Sequence, residues 1–125
     1  MKLIHDFYQI EQENGGETRF EYVLLLNKYH FIYSVHFPGN PVTPGVCIIQ
    51  LCKELMEHRM GRSFFLKKIE NVKFLSVINP LVVDRIQVAF SKIVPVENGY
   101  KFSASVYRGA VVFTKLSLYL QATDT

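Results

Sequence analysis

Several features are scarce or missing in this chain of 125 residues. There are only two cysteines, Cys47 and Cys52. On a helix a separation of five turns them to different sides, so they do not pair, and a reducing cytoplasm is the natural setting. No apolar run approaches the ~20 residues that a membrane span needs. The opening Met1-Lys2-Leu3-Ile4-His5-Asp6 lacks the apolar centre of a signal peptide. The expected location is therefore cytoplasmic. The four histidines (His5, His30, His36 and His58) are scattered and the cysteines stand alone, so no metal-ligand set has usable spacing and no cofactor is expected. No hydroxyl sits in a nucleophile-elbow pattern. No repeat or low-complexity segment is present. A net charge of +3 is mild, and the basic stripe with exposed aromatics that would suit a nucleic acid is missing.

What is present suits a packed globule. Apolar residues make up 49% of the chain and aromatics 14%, which argues against disorder. The length fits one domain over residues 1–125. Residues 1–18 open with a short apolar stretch, read as helical or irregular, and close in a polar turn at Glu11 to Gly16. Arg19 to Asn27 alternates as a strand with Phe20, Tyr22, Leu24 and Leu26 on one face. His30 to Ser34 reads as a short extended piece. Here His30 is a second candidate acid or base, beside the commoner surface or capping histidine. Phe64 to Ile78 reads as a long strand with a bulge around Glu70-Asn71. Asp84 to Val94 alternates with Ile86, Val88 and Phe90 inward. Asn98-Gly99 is a hairpin signal, after which Tyr100–Tyr107 and Ala110–Gln121 form the last strands.

The stretch that organises the chain is His36 to Glu54. Three prolines and two glycines fall in its first ten residues, so it starts as a stiff, non-repetitive loop. Thr43-Pro44 reads as a helix start, with Thr43 as N-cap and Pro44 at the first helical position. The helix that follows, to about Met60, is apolar on nearly all sides. Such a helix is normally buried, and a curved sheet is the simplest cover. The first N–H groups of a helix lack internal partners and carry the positive end of its dipole. A carbonyl oxygen fits there beside Gly45, whose missing side chain permits close approach. His36 would then be a base near that carbonyl. A structural loop with a satisfied histidine accounts for the same residues.

His36-Phe37-Pro38-Gly39-x-Pro41-x-x-Pro44-Gly45-Val46 resembles the signature of the β-hydroxyacyl-acyl-carrier-protein dehydratases. That family implies a hot-dog fold, an α+β domain with an antiparallel sheet wrapped round one central helix. The resemblance implies that His36 is the catalytic histidine and that Gly45 N–H polarises a thioester carbonyl. Phe37, Pro44 and Val46 would line the substrate site. The family carries Glu or Asp fourteen residues after the histidine, and here that position is Gln50. It commonly has Gln four residues later, and here that position is Glu54. The order is reversed, one helical turn apart on one face. An amide cannot act as an acid, so Gln50 would position a hydroxyl while Glu54 is a candidate substitute acid. The other reading has Glu54 facing solvent, paired with Lys53 or His58.

The resemblance further implies an acyl carrier protein as partner and a site shared between two chains, in a homodimer or a heterodimer with another hot-dog dehydratase. Lys53, Arg59, Arg62, Lys67 and Lys68 are candidates for docking an acidic carrier protein, or simply form a solvated face. The expected activity is removal of water from a 3-hydroxyacyl thioester to give the 2-enoyl thioester, in fatty-acid, polyene or polyketide-type synthesis. The alternative is a catalytically degenerate subunit that binds acyl chains or completes a site with an active partner.

Overall fold

The structure is a computed structural model that describes residues 2–35 and 39–123. Its elements are β1 (Tyr8–Gly15), β2 (Phe20–Leu26), α1 (Ile32–Val35), α2 (Gly45–Met60), β3 (Phe64–Phe74), β4 (Arg85–Val96), β5 (Gly99–Arg108) and β6 (Val111–Ala122). The strands form one antiparallel sheet in the order β1-β2-β4-β5-β6-β3. Its inner face and α2 share one core, in which Leu24, Leu51, Leu55, Ile86, Val88 and Leu118 are wholly buried. This is the architecture that the motif implied.

The alternation that marks β2, β4 and β6 as strands also sets which face each presents. Phe20, Tyr22, Leu24 and Leu26 are buried while the residues between them are half-exposed. Phe20 stacks on Phe90 across the β2–β4 ladder at 4.9 Å between ring centroids. The bulge expected in β3 is present, with the register shifting between Ile69 and Asn71 and again between Leu66 and Lys68. Such shifts bend and twist the strand that carries them.

Four local expectations need correction. The segment read as helical or irregular, then as a polar turn, includes the edge strand β1, paired to β2 with a bulge between Ile10 and Gln12. The stretch read as extended, His30 to Ser34, instead enters the one-turn helix α1, started by His30 Nδ1 accepting the Ile32 N–H at 3.1 Å. The β4–β5 turn lies one residue early. Val96 pairs with Gly99, so Glu97 and Asn98 make the turn, with Asn98 at φ 58°. Gly99 is needed for another reason: a Cβ there would sit 1.9 Å from Leu120 O. Finally, Pro44 rather than Thr43 is the N-cap of α2, and no side chain caps it. The Thr43 hydroxyl is shared with Tyr33 instead, at 2.9 Å.

Helix α2 is 16 residues, about 24 Å long. Seven of its residues are buried and only Val46 and His58 are exposed. Gly61, at φ 65°, closes the helix by donating its N–H to Glu57 O, as C-terminal glycines do.

Candidate active site

His36 and Phe37 lie outside the described residues, so the site is built from the helix they lead into. Pro44 and Gly45 form one wall of an apolar cleft of about 380 Å³ with Ile48 and the segment from Phe74 to Ile78. Backbone bonds fix that wall. Thr43 N–H donates to Ile78 O at 2.9 Å, and Leu75 and Ser76 N–H both donate to Phe113 O. Inside α2 the Cys47 N–H bonds Pro44 O at 3.0 Å. Gly45 and Val46 thus precede the first helical hydrogen bond, at the positive end of the dipole. The Phe74 ring lies against Gly45, with Cζ 2.6 Å from where a Cβ would be. Phe74 has a place here that sequence reasoning missed, although the order Lys73-Phe74…Pro80 was visible.

Val46, Gln50 and Glu54 stack on one face of α2, and the face changes character along its length. Val46 is 66% exposed, Gln50 is half-buried and Glu54 is 5% exposed. The N-terminal segment covers the C-terminal half. Glu54 accepts the Leu3 N–H at 2.7 Å, the Ile4 N–H at 2.8 Å, the Tyr8 hydroxyl at 3.0 Å and Gln50 Nε2 at 2.7 Å. Its expected solvent-facing pose with Lys53 or His58 is therefore corrected. Lys53 bonds Glu57 and Phe64 O, and His58 faces Glu13. The two Glu54 oxygens thus accept from four donors, two of them backbone N–H groups. Burial, then the Glu54 charge beside it, pushes the Tyr8 hydroxyl well above the usual tyrosine range. Tyr8 therefore stays a donor.

The structure thus joins Pro44 with Gly45 at the cleft and Gln50 with Glu54 one and two turns further on. Glu54 stands about 13 Å along the axis from Gly45. A larger cleft, about 540 Å³, opens on Glu54 and on Lys2, Glu57, His58 and Arg62 at the far end of the helix. Size favours that cleft, but the motif and the helix N-terminus lie at the smaller one, which is therefore the better candidate. His30, the two cysteines and Arg59 are held within the fold, while two of the basic candidates face out. His30 donates Nε2–H to Asp6 at 3.0 Å while capping α1. Burial raises both thiols, Cys52 to about 12, which leaves neither suited to nucleophilic attack. Arg59 bonds Glu13, Gly15 O and Gly16 O. Lys67 and Lys68 are exposed on β3. Among the described residues no group of three metal-ligating side chains forms, and no helix is long and apolar enough to cross a membrane.

A curved antiparallel sheet around one helix, with an apolar cleft at that helix's N-terminus, defines a hot-dog protein. The model of the ApeI-like family, described as ApeI dehydratase, matches residues 11–114. The chain belongs to this family. Along its whole length it is 31% identical to the 3-hydroxyacyl-[acyl-carrier-protein] dehydratase FabZ of Lactiplantibacillus plantarum, covering 93% of that relative. A Caulobacter FabZ is 33% identical over 66 residues, a match spanning 46% of this chain and 40% of the relative. The chain thus spans well under half the length of several curated relatives it matches. The dehydratase heterocomplex ApeI:P from Xenorhabdus doucetiae superposes with a TM-score of 0.72 over 90% of this chain and 96% of that one, at 16% identity. That likeness is one of fold.

Proposed function

We propose that the protein acts on a 3-hydroxyacyl chain thioesterified to an acyl carrier protein and removes water to give the 2-enoyl thioester. The observation that carries this reading is the apolar cleft ending at the uncapped N-terminus of α2, beside Gly45, in a chain of a dehydratase family. His36 takes the C2 proton. Gly45 N–H meets the thioester oxygen as charge builds on it. Phe37, Pro44 and Val46 wall the acyl chain, and Gln50 holds the 3-hydroxyl. Two chains complete the site. In support of a dimer, the sheet edge β3 and the segment after it expose Phe65, Ile69, Phe74, Leu75 and Val77. The partner is a second copy or another hot-dog dehydratase, and the setting is cytoplasmic.

A second reading is favoured by Gln50 itself. Hydroxide leaves poorly, and an amide cannot protonate it. A missing general acid typically costs about 10²–10⁴-fold. In this reading the chain is a degenerate subunit that gains an acid from a partner. Purified protein, alone and with a carboxylate-bearing dehydratase chain, is given a 3-hydroxyacyl carrier-protein thioester, and the enoyl product is followed by mass spectrometry. Slow turnover alone that His36→Ala abolishes supports the first reading. Turnover only in the mixed complex supports the second. If no product forms in either and no acyl thioester binds, both are wrong.

A further inference from the structure

One aromatic ring narrows the cleft at the N-terminus of α2. Phe74 pairs with Thr114 across the β3–β6 ladder. Directly paired residues share a face of the sheet, and Thr114 is wholly buried, so Phe74 also stands on the side that faces the helix. Its ring reaches α2. Cζ, Cε2 and Cε1 lie 2.6, 3.0 and 3.1 Å from where a Cβ of Gly45 would be. A methyl group at that point would overlap the ring. The strand that carries Phe74 is tied down just beyond it, where Leu75 and Ser76 N–H donate to Phe113 O at 2.8 and 3.1 Å. Helix backbone closes the inner side of the ring, while 52% of the residue remains exposed. The ring can therefore move only outward, and in doing so it gives up its packing on Gly45.

We propose that Phe74 is a specificity-determining residue that makes this cleft select acyl thioesters unbranched at C2. This rests on the dehydratase reading and narrows its substrate class. With the thioester oxygen at Gly45 N–H, the acyl chain runs into the apolar part of the cleft, between Ile48 and the segment from Phe74 to Ile78. C2 is the first carbon to enter, and it passes the ring where the ring is packed against Gly45. A CH₂ group carries only hydrogens there and fits along the ring. A 2-methyl group needs volume that the ring holds and must push it out into solvent. The selection is steric, not chemical. Dehydration takes one hydrogen from C2, and a 2-methyl substrate still has one to give. No bond forms or breaks at Phe74, whose ring has no proton to donate or accept.

The test is Phe74→Ala. Kd values are measured on the purified protein by calorimetry with two saturated acyl pantetheine thioesters that differ only by a 2-methyl group, the branched one as its separated C2 epimers. Neither ligand carries a 3-hydroxyl, so the result does not depend on turnover. The wild type should bind the unbranched thioester about 10-fold more tightly than the weaker-bound epimer, the lower end of what one such group is worth in a close-fitting pocket. Phe74→Ala should bring that epimer within about twofold of the unbranched ligand by tightening its binding. A merely structural role would weaken both ligands alike and leave their ratio. Phe74→Leu, which keeps an apolar but smaller side chain, gives the same readouts if the first variant does not fold. An unchanged ratio in the variant, or a wild type without preference, overturns the proposal, while binding of the unbranched thioester leaves the dehydratase reading in place. If the preference and its loss are as expected but a 3-hydroxyacyl thioester gives no enoyl product, alone or with a carboxylate-bearing dehydratase chain, the dehydratase reading fails and the selection at C2 stands. If no thioester binds the wild type or either variant, both fall.

Discussion

Restoring the family's acid by Gln50→Glu should change activity and stability in opposite directions. The new carboxylate would stand where the Gln50 amide now touches Glu54 at 2.7 Å. At an effective dielectric of ~20, two charges roughly 3 Å apart repel by about 5 kcal/mol, equivalent to nearly 4 pKa units. The pair would rather keep one proton than bear that. The Leu3 N–H, the Ile4 N–H and the Tyr8 hydroxyl already donate to the Glu54 oxygens, so the new residue is the one expected to carry the proton. On the dehydratase reading, a protonated carboxyl at position 50 near neutral pH would supply the general acid, and turnover as purified homodimer should rise by about 10²–10⁴-fold.

Holding that proton at pH 7 costs about 3.7 kcal/mol, the gap from an ordinary glutamic acid near 4.3. With about 2.1 cal/mol/K of unfolding entropy per residue, a chain of 125 residues should lose roughly 10–15 °C in Tm. The sign follows from linkage. A carboxyl raised in the folded state destabilises above its unfolded pKa, so the loss should shrink as pH falls and vanish below about pH 4. Melting curves from pH 4 to 8 and turnover of a 3-hydroxyacyl carrier-protein thioester check both halves. Adding Glu54→Gln should relieve the pH 7 loss. A variant that melts like wild type at every pH would refute the contact. A variant with the expected melting profile but unchanged turnover would show that the proton comes from elsewhere, and that the emphasis on position 50 is wrong.

The remaining predictions concern the scaffold. Glu54→Ala should cost about 3 kcal/mol, or roughly 10 °C, because the Leu3 N–H and Tyr8 hydroxyl lose a buried acceptor; hydrogen exchange at Leu3 and Ile4 should quicken, and unchanged protection would refute the anchor. Gly99→Ala should cost about 3 kcal/mol, since the clash at Leu120 O is with backbone that cannot move without opening β5 from β6. Gly16→Ala meets nothing within 4 Å and should stay within about 0.5 kcal/mol. Gly45→Ala should melt within about 1 kcal/mol of wild type, because Phe74 is half-exposed and can swing aside. Its turnover should fall by about 10- to 100-fold as the cleft mouth is reshaped.

The sequence was most legible where a single period ruled. β2 and β4 alternate cleanly, and the all-round apolar run of α2 can only be a covered helix. β1 escaped because it is an edge strand with one wholly buried residue, Tyr8. Its bulge after Ile10 also breaks the alternation on which a strand is recognised. α1 escaped because aromatic and β-branched residues look extended. What makes it turn is a side-chain cap from His30, itself held by Asp6, 24 residues earlier. Asn98-Gly99 marked the hairpin correctly but shifted by one, because the glycine answers to β6 rather than to the turn. Of the site, Gly45 and the Gln50–Glu54 spacing were readable. The N-terminal partners of Glu54 were not, since two are backbone N–H groups, which carry no sequence signal, and the third, the Tyr8 hydroxyl, lies 46 residues away in the chain.

Those partners change what the reversed order of glutamine and glutamate means. Two residues on neighbouring turns can exchange types without consequence only if their surroundings are alike, and here they differ. Position 54 lies under Leu3–Tyr8 among three fixed donors, which favour an acceptor bearing charge. Position 50 lies at the edge of that cover, next to the open Val46. A carboxylate at position 54 is thus locked into the fold and ties the N-terminal segment to the central helix. The amide at position 50 stands where the resemblance expects a carboxylate. The exposed half of the helix face and the apolar β3 edge lie on surfaces that the chain itself does not cover. On the second reading of the function, the reversed pair would leave the final proton to a neighbouring chain, and turnover of the isolated chain against the mixed complex decides between the two.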